Sequence, residues 1–123
     1  MKKAEDIVIE KLKIDEKDFN RADNLQFRCG SFYGSGAPWT SEASKMAKLI
    51  KDPVKLAKRT IAVVARWGTG EHTGWSAGVP KSENAFAPFR SRLYEMGFSC
   101  DQIDAIIIRG LEIGQTREYL GLA

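Results

Sequence analysis

Residues 45–66 read KMAKLIKDPVKLAKRTIAVVAR, and their conformation decides how the rest of the chain is read. On a helix at about 100° per residue, Lys45, Lys48, Lys51, Lys55, Lys58, Arg59 and Arg66 fall within roughly 140° of arc. Met46, Ile50, Val54, Ala57, Ile61 and Val64 gather on the opposite side, within about 80°. Such a segment buries one side and presents a positive stripe on the other, with Asp52 as its one acid. Solvated helix faces commonly mix signs, because opposite charges four residues apart stabilise and like charges repel. A single-sign stripe therefore points to an acidic partner, either nucleic acid or an acidic protein surface. Residues 60–64, TIAVV, are β-branched enough to suit a strand, which would scatter the charges over two faces. The period of the apolar positions favours the helix.

Asp52-Pro53 divides this stretch. Aspartate as N-cap with proline at the first helical position is a start signal. The pattern thus predicts two helices, about 41–51 and 53–67, that keep one phase across the break. Thr40 or Ser41 suits the first N-cap, with Glu42 favourable in the opening turn.

Working outward, residues 2–13 read as a helix with Ile7, Val8, Leu12 and Ile14 on its buried side. Residues 15–24 form a polar connection anchored by Phe19. LQFRC at 25–29 alternates as a short strand does, and the glycines and aromatics of CGSFYGSGAPW make a loop. On the other side, residues 68–81, GTGEHTGWSAGVPK, form a second glycine-rich loop. Ser82 caps an expected helix over 83–96, with Phe86, Phe89, Leu93 and Met96 in register and Gly97 as its C-terminal glycine. Ser99 and Gln102 form a capping box for a last long helix. That helix carries Ile103, Ile106, Ile107 and Leu111 and is expected to stop at Gly114, with Thr116 opening a short final turn. The fold class is mainly α: a single compact helical-bundle domain over 1–123 with two glycine- and aromatic-rich loops and room for one short β-hairpin.

With 123 residues, 43% of them hydrophobic and three tryptophans among the aromatics, the chain can bury a real core. Its net charge of +3 is mild, but residues 1–23 hold seven acids against six bases and residues 83–123 six against four. The positive excess is therefore confined to the middle. The opening MKKAEDIVIE lacks the apolar run of a signal peptide, and no apolar run approaches the roughly 20 residues that span a bilayer. A cytoplasmic protein with free Cys29 and Cys100 is the expectation.

No motif names a reaction. His72, Cys29 and Cys100 are the soft metal ligands, and no two have ligand spacing. GSGAPWTSEASK leads a loop into a helix N-terminus but lacks the spacing of a phosphate-binding loop. His72 with Glu71, or with Cys29 if the fold joined them, would supply acid–base or nucleophilic chemistry, and nothing in the sequence joins them. Neither a cofactor nor a metal is expected, and an enzyme is the weaker reading. Binding fits better. Phe32, Tyr33, Trp39, Trp67 and Trp75 lie in or beside the two loops that flank the basic helices, where aromatic rings can stack on bases. At least three of them are expected to be buried, with Tyr33 and Trp75 the most exposed.

Residues 97–122, GFSCDQIDAIIIRGLEIGQTREYLGL, resemble the opening of a helix-turn-helix unit: a first helix, a glycine, then a short helix. That resemblance implies a following recognition helix for DNA. The chain stops at Ala123, where that helix would begin, so no family is assigned from it.

Two functions remain. One is a small non-enzymatic nucleic-acid-associated protein, with Lys48, Lys51, Lys55, Lys58, Arg59 and Arg66 on phosphates and Tyr33 and Trp75 beside them. The other is a protein-interaction module, an inhibitor or adaptor of the phage or mobile-element accessory type, whose basic face docks on an acidic surface of a larger complex.

Overall fold

The computed structural model describes residues 3–19, 44–67 and 87–119, with the backbone alone at 66, 67, 87 and 117–119. The described residues are mainly helical and contain no strand. Two 3₁₀ turns, Ala4–Asp6 and Ile9–Lys11, open the chain. A helical turn at 16–19 (α1) and a short helix at 44–49 (α2) follow. Three longer helices complete the set: α3 at Pro53–Trp67, α4 at Ala87–Glu95 and α5 at Cys100–Tyr119. The strand expected at 25–29, both glycine-rich loops and Phe86 lie outside the described residues.

α3 is the centre of the molecule. Leu56, Ala57 and Thr60 through Ala65 are all buried, so its second half is enclosed on every side. A helix apolar all round belongs inside a bundle rather than on its surface. Its start is the one the sequence announces: Val54 N–H donates to Asp52 Oδ1 at 3.1 Å, and Leu56 N–H to Asp52 O at 2.9 Å. The β-branched run is helical, and the one hydroxyl inside it is satisfied, since Thr60 Oγ1–H donates to Leu56 O at 2.8 Å.

α5 lies along α3 at close range. A Cβ on Gly110 would stand 2.6 Å from Val64 Cβ and 3.0 Å from Ile61 O, so glycine is what allows this approach. Ile103, Ile106 and Ile107 from α5 and Phe89 and Leu93 from α4 complete the core, with Leu111 packed at its margin. α4 ends in a Schellman motif. Phe98 N–H donates to Leu93 O and Gly97 N–H to Tyr94 O, each at 3.1 Å, with Gly97 at φ 99°. α5 opens on the expected capping box: Gln102 N–H donates to Ser99 Oγ at 3.1 Å and Ser99 N–H to Gln102 Oε1 at 2.9 Å.

Two expectations are corrected. Residues 2–13 do not form an α-helix: Ile7 and Val8 between the 3₁₀ turns are extended. Ala4, Ile7 and Ile9 are buried, and Leu12 and Ile14 pack against the core, whereas Val8 is exposed. The inward positions thus fall two or three residues apart. On an α-helix those five side chains would spread over about 220° of the circumference, too wide for one buried face; on a strap that alternates tight turns with extended residues they all pack against the core. The second correction concerns Gly114, which does not end the last helix. α5 runs through both Gly110 and Gly114 to Tyr119 without a break, and Thr116 Oγ1–H donates back to Glu112 O at 3.1 Å. The glycine break that made residues 97–122 resemble a helix-turn-helix is therefore absent. Each glycine costs about 1 kcal/mol in helix propensity, and packing along α3 outweighs it.

Candidate functional site

The basic stripe survives in part. Lys45, Lys48, Lys51 and Lys55 are exposed and Lys58 is half-buried. No acid among the described residues pairs with Lys48, Lys51, Lys55 or Lys58. Asp52, the acid within this stretch, commits its Oδ1 to the start of α3. Lys55 and Lys58 stand three residues apart on α3 and are surface neighbours.

Arg59 is not part of the exposed stripe. Its Nε–H donates to Asp18 Oδ1 at 3.3 Å, with the two side chains only 8% and 9% exposed. The expectation that Arg59 contacts phosphate is therefore corrected: helical phase puts it within the basic arc, but Asp18 of α1, remote in sequence, meets it there and it is buried. Asp18 also receives the N–H of Asp15 on Oδ2 at 3.4 Å, so one carboxylate caps α1 and holds it to α3. The side chain of Arg66, like Tyr33, Trp75, His72 and Cys29, lies outside the described residues.

A residue the sequence did not single out positions the face. Arg92 on α4 donates from Nε to Ala47 O at 3.3 Å and from Nη2 to Ile50 O at 3.1 Å. Its Nη1 donates to Glu95 Oε2 at 3.3 Å. A guanidinium presents a planar set of donors, and here it joins the Ile50 carbonyl and the Ala47 carbonyl, which also accepts the Ile50 N–H at 3.3 Å, at the end of α2, where positive charge is favoured. Tertiary packing rather than intrinsic propensity holds most protein helices; the burial of Ala47 and Ile50 together with this arginine keeps the described part of α2, 44–49, in place. Arginine among two acids in a helix reads as an ordinary surface residue, so no sequence signal marks it.

Leu49, at the end of α2 among these lysines, is 79% exposed. On another side of the molecule, α4 and α5 border an open groove of about 450 Å³ lined by Arg90, Tyr94, Glu95, Cys100, Ile103 and Asp104 among others. Cys100 is an exposed free thiol there, and Arg90 Nη2–H donates to Asp104 Oδ1 at 3.2 Å.

Among the described residues no group of three or more metal-ligating side chains comes together. No described helix is long and apolar enough to cross a membrane. No family model, curated protein or solved structure matches this chain.

Proposed function

We propose that this chain is a small non-enzymatic nucleic-acid-associated protein that holds phosphates with Lys45, Lys48, Lys51, Lys55 and Lys58. The observation that supports this reading is the set of four lysines, Lys48, Lys51, Lys55 and Lys58, left without an acidic partner among the described residues. Like charges gathered on one face repel each other, and a polyanion removes that cost while releasing its own counterions. Lysine contacts to the backbone give affinity and orientation but read no sequence. Arg59 is excluded from the set.

The test is retardation of mixed-sequence duplex and single-stranded oligonucleotides. With all five lysines engaged, log affinity should fall against log salt with a slope of about −4.5 for duplex and about −3.5 for single strands. Lys48→Glu with Lys55→Glu should abolish the retardation and leave the melting temperature unchanged. If the wild-type protein retards neither oligonucleotide at about 50 mM salt, where phosphate contacts are strong, the nucleic-acid proposal is discarded. The same lysines are then tested against an acidic protein surface, as in an inhibitor or adaptor.

A further inference from the structure

We infer that Leu49 is a wedge: when the lysine face holds duplex DNA, this side chain enters the minor groove, unstacks a base step and bends the duplex. The wedge rests on the nucleic-acid proposal and adds to it the form of the ligand. α2 buries Ala47, at 1% exposure, and leaves Leu49 79% exposed, the most exposed of the large apolar side chains described. Two residues apart on a helix, these side chains point about 160° away from each other. Leu49 therefore stands on the side of α2 turned away from the core. The backbone beneath it is fixed, since Arg92 donates to the Ala47 and Ile50 carbonyls and Ile50 is buried. An apolar knob on a fixed base can press into a base stack.

What covers Leu49 follows from its neighbours. Lys45 precedes it by one turn, about 40° around α2. Lys48 is the adjacent residue, Lys51 comes two positions later, and all three lysines are exposed. Lys48 and Lys51 have no acidic partner among the described residues. A polyanion held by these lysines lies over Leu49. Its phosphates offer a leucine no apolar contact; the base steps and sugars of a groove do. The minor groove is only about 6 Å wide, so phosphates of both strands come within lysine reach of a side chain placed in it. Apolar side chains that enter there, leucine among them, part the base pairs and kink the duplex by about 20–90°. The deformation is easiest at pyrimidine–purine steps and hardest in stiff A-tracts. The lysines then supply affinity, and Leu49 supplies a preference for deformable duplex that phosphate contacts alone do not give. A lipid surface fits less well, because even a whole fatty-acyl chain gives only marginal membrane binding.

Two DNA duplexes of equal length and composition test the wedge. One has a central TA step and the other a central A-tract, each with 2-aminopurine at the centre, whose emission rises when stacking is lost. Wild-type protein at about 50 mM salt should raise the emission of the TA duplex and bind it about tenfold more tightly than the A-tract duplex. Leu49→Ala keeps every lysine and alters an exposed position, so circular dichroism, melting and the salt slope should not change. The emission rise and the preference should both disappear. Leu49→Met should restore them, since methionine also serves as a wedge. A Leu49→Ala protein that still raises the emission overturns the inference. So does a wild-type protein that binds both duplexes alike without raising it, and the nucleic-acid proposal then stands without the wedge. Binding of neither duplex removes both. Vesicles of phosphatidylcholine with phosphatidylglycerol, and sedimentation of the chain alone, complete the set. If wild-type but not Leu49→Ala binds the vesicles or a second copy while the emission stays flat, Leu49 belongs to that occupant and the wedge is discarded.

Discussion

Arg59 and Asp18 show how a charge is turned from a surface feature into a structural one. Both are buried, and the pair joins α1 to the central helix across 41 residues of sequence. Removing one partner strands the other charge in the interior, which typically costs 3–5 kcal/mol, whereas replacing both can be nearly neutral. Arg59→Met should therefore destabilise by about 3 kcal/mol in urea unfolding. The double variant with Asp18→Leu should recover most of that loss. Neither should alter the salt slope of oligonucleotide binding, which separates Arg59 from the exposed lysines. Gly110 is the other single residue on which the packing turns. Gly110→Ala should destabilise by about 3 kcal/mol, the upper end for overpacking, because the new methyl meets Val64 Cβ and the Ile61 carbonyl. Val64→Ala should not rescue it, since the Cβ it keeps is the atom in the way.

At the scale of elements, what could be read from the sequence divides by range. The Asp52-Pro53 start, the Gly97 stop and the Ser99–Gln102 box are each confined to about four residues, and all three stand as their residue types dictate. The helical reading of 60–67 rested on period alone and also holds. The N-terminal strap was misread because its apolar residues fit the surface of the assembled bundle rather than a helix of their own. Gly114 was misread because a glycine permits a helix end without requiring one, and long-range packing decides. Of the candidate site, the lysines could be read from their phase. The burial of Arg59 could not, because its partner is remote, and neither could the role of Arg92. The strap also has a tether no local rule announces: Gln102 Nε2–H donates to Ala4 O at 3.0 Å. Gln102→Glu keeps the acceptor that caps α5 and loses this donor, while Gln102→Ala loses both. Amide exchange should therefore accelerate at Ile7 and Leu12 in both variants. The stability measured by urea unfolding should fall further in Gln102→Ala, by an added ~1 kcal/mol for the lost cap.

Over the whole molecule, stability and the candidate function are held by different parts. The core is the enclosure of α3 by α4, α5 and the strap, and truncating Phe89 or Ile106 to Ala should cost about 2–5 kcal/mol each through cavities at fully buried sites. The lysine face, by contrast, spans α3 and the short α2, and α2 is docked chiefly by Ala47, Ile50 and the Arg92 guanidinium. Arg92→Met keeps much of the side chain's bulk and removes its donors, so the Ile50 carbonyl turns to water, the Ala47 carbonyl keeps only the Ile50 N–H, and α2 loosens. The loss of global stability should be modest, about 1–2 kcal/mol, because two hydrogen bonds from a charged group are exchanged for solvent at a half-buried site. The effect on binding should be larger in proportion. Lys45 and Lys48 stand on α2, whereas Lys55 and Lys58 stand on α3. Freeing α2 should thus remove two phosphate contacts and leave the rest, making the duplex salt slope shallower by about 1.8. Fluorescence anisotropy at several salt concentrations measures that change. A slope equal to the wild-type value, with faster amide exchange confirmed at 47–50, would show that the lysines of α2 take no part in holding the polyanion and would narrow the candidate face to α3.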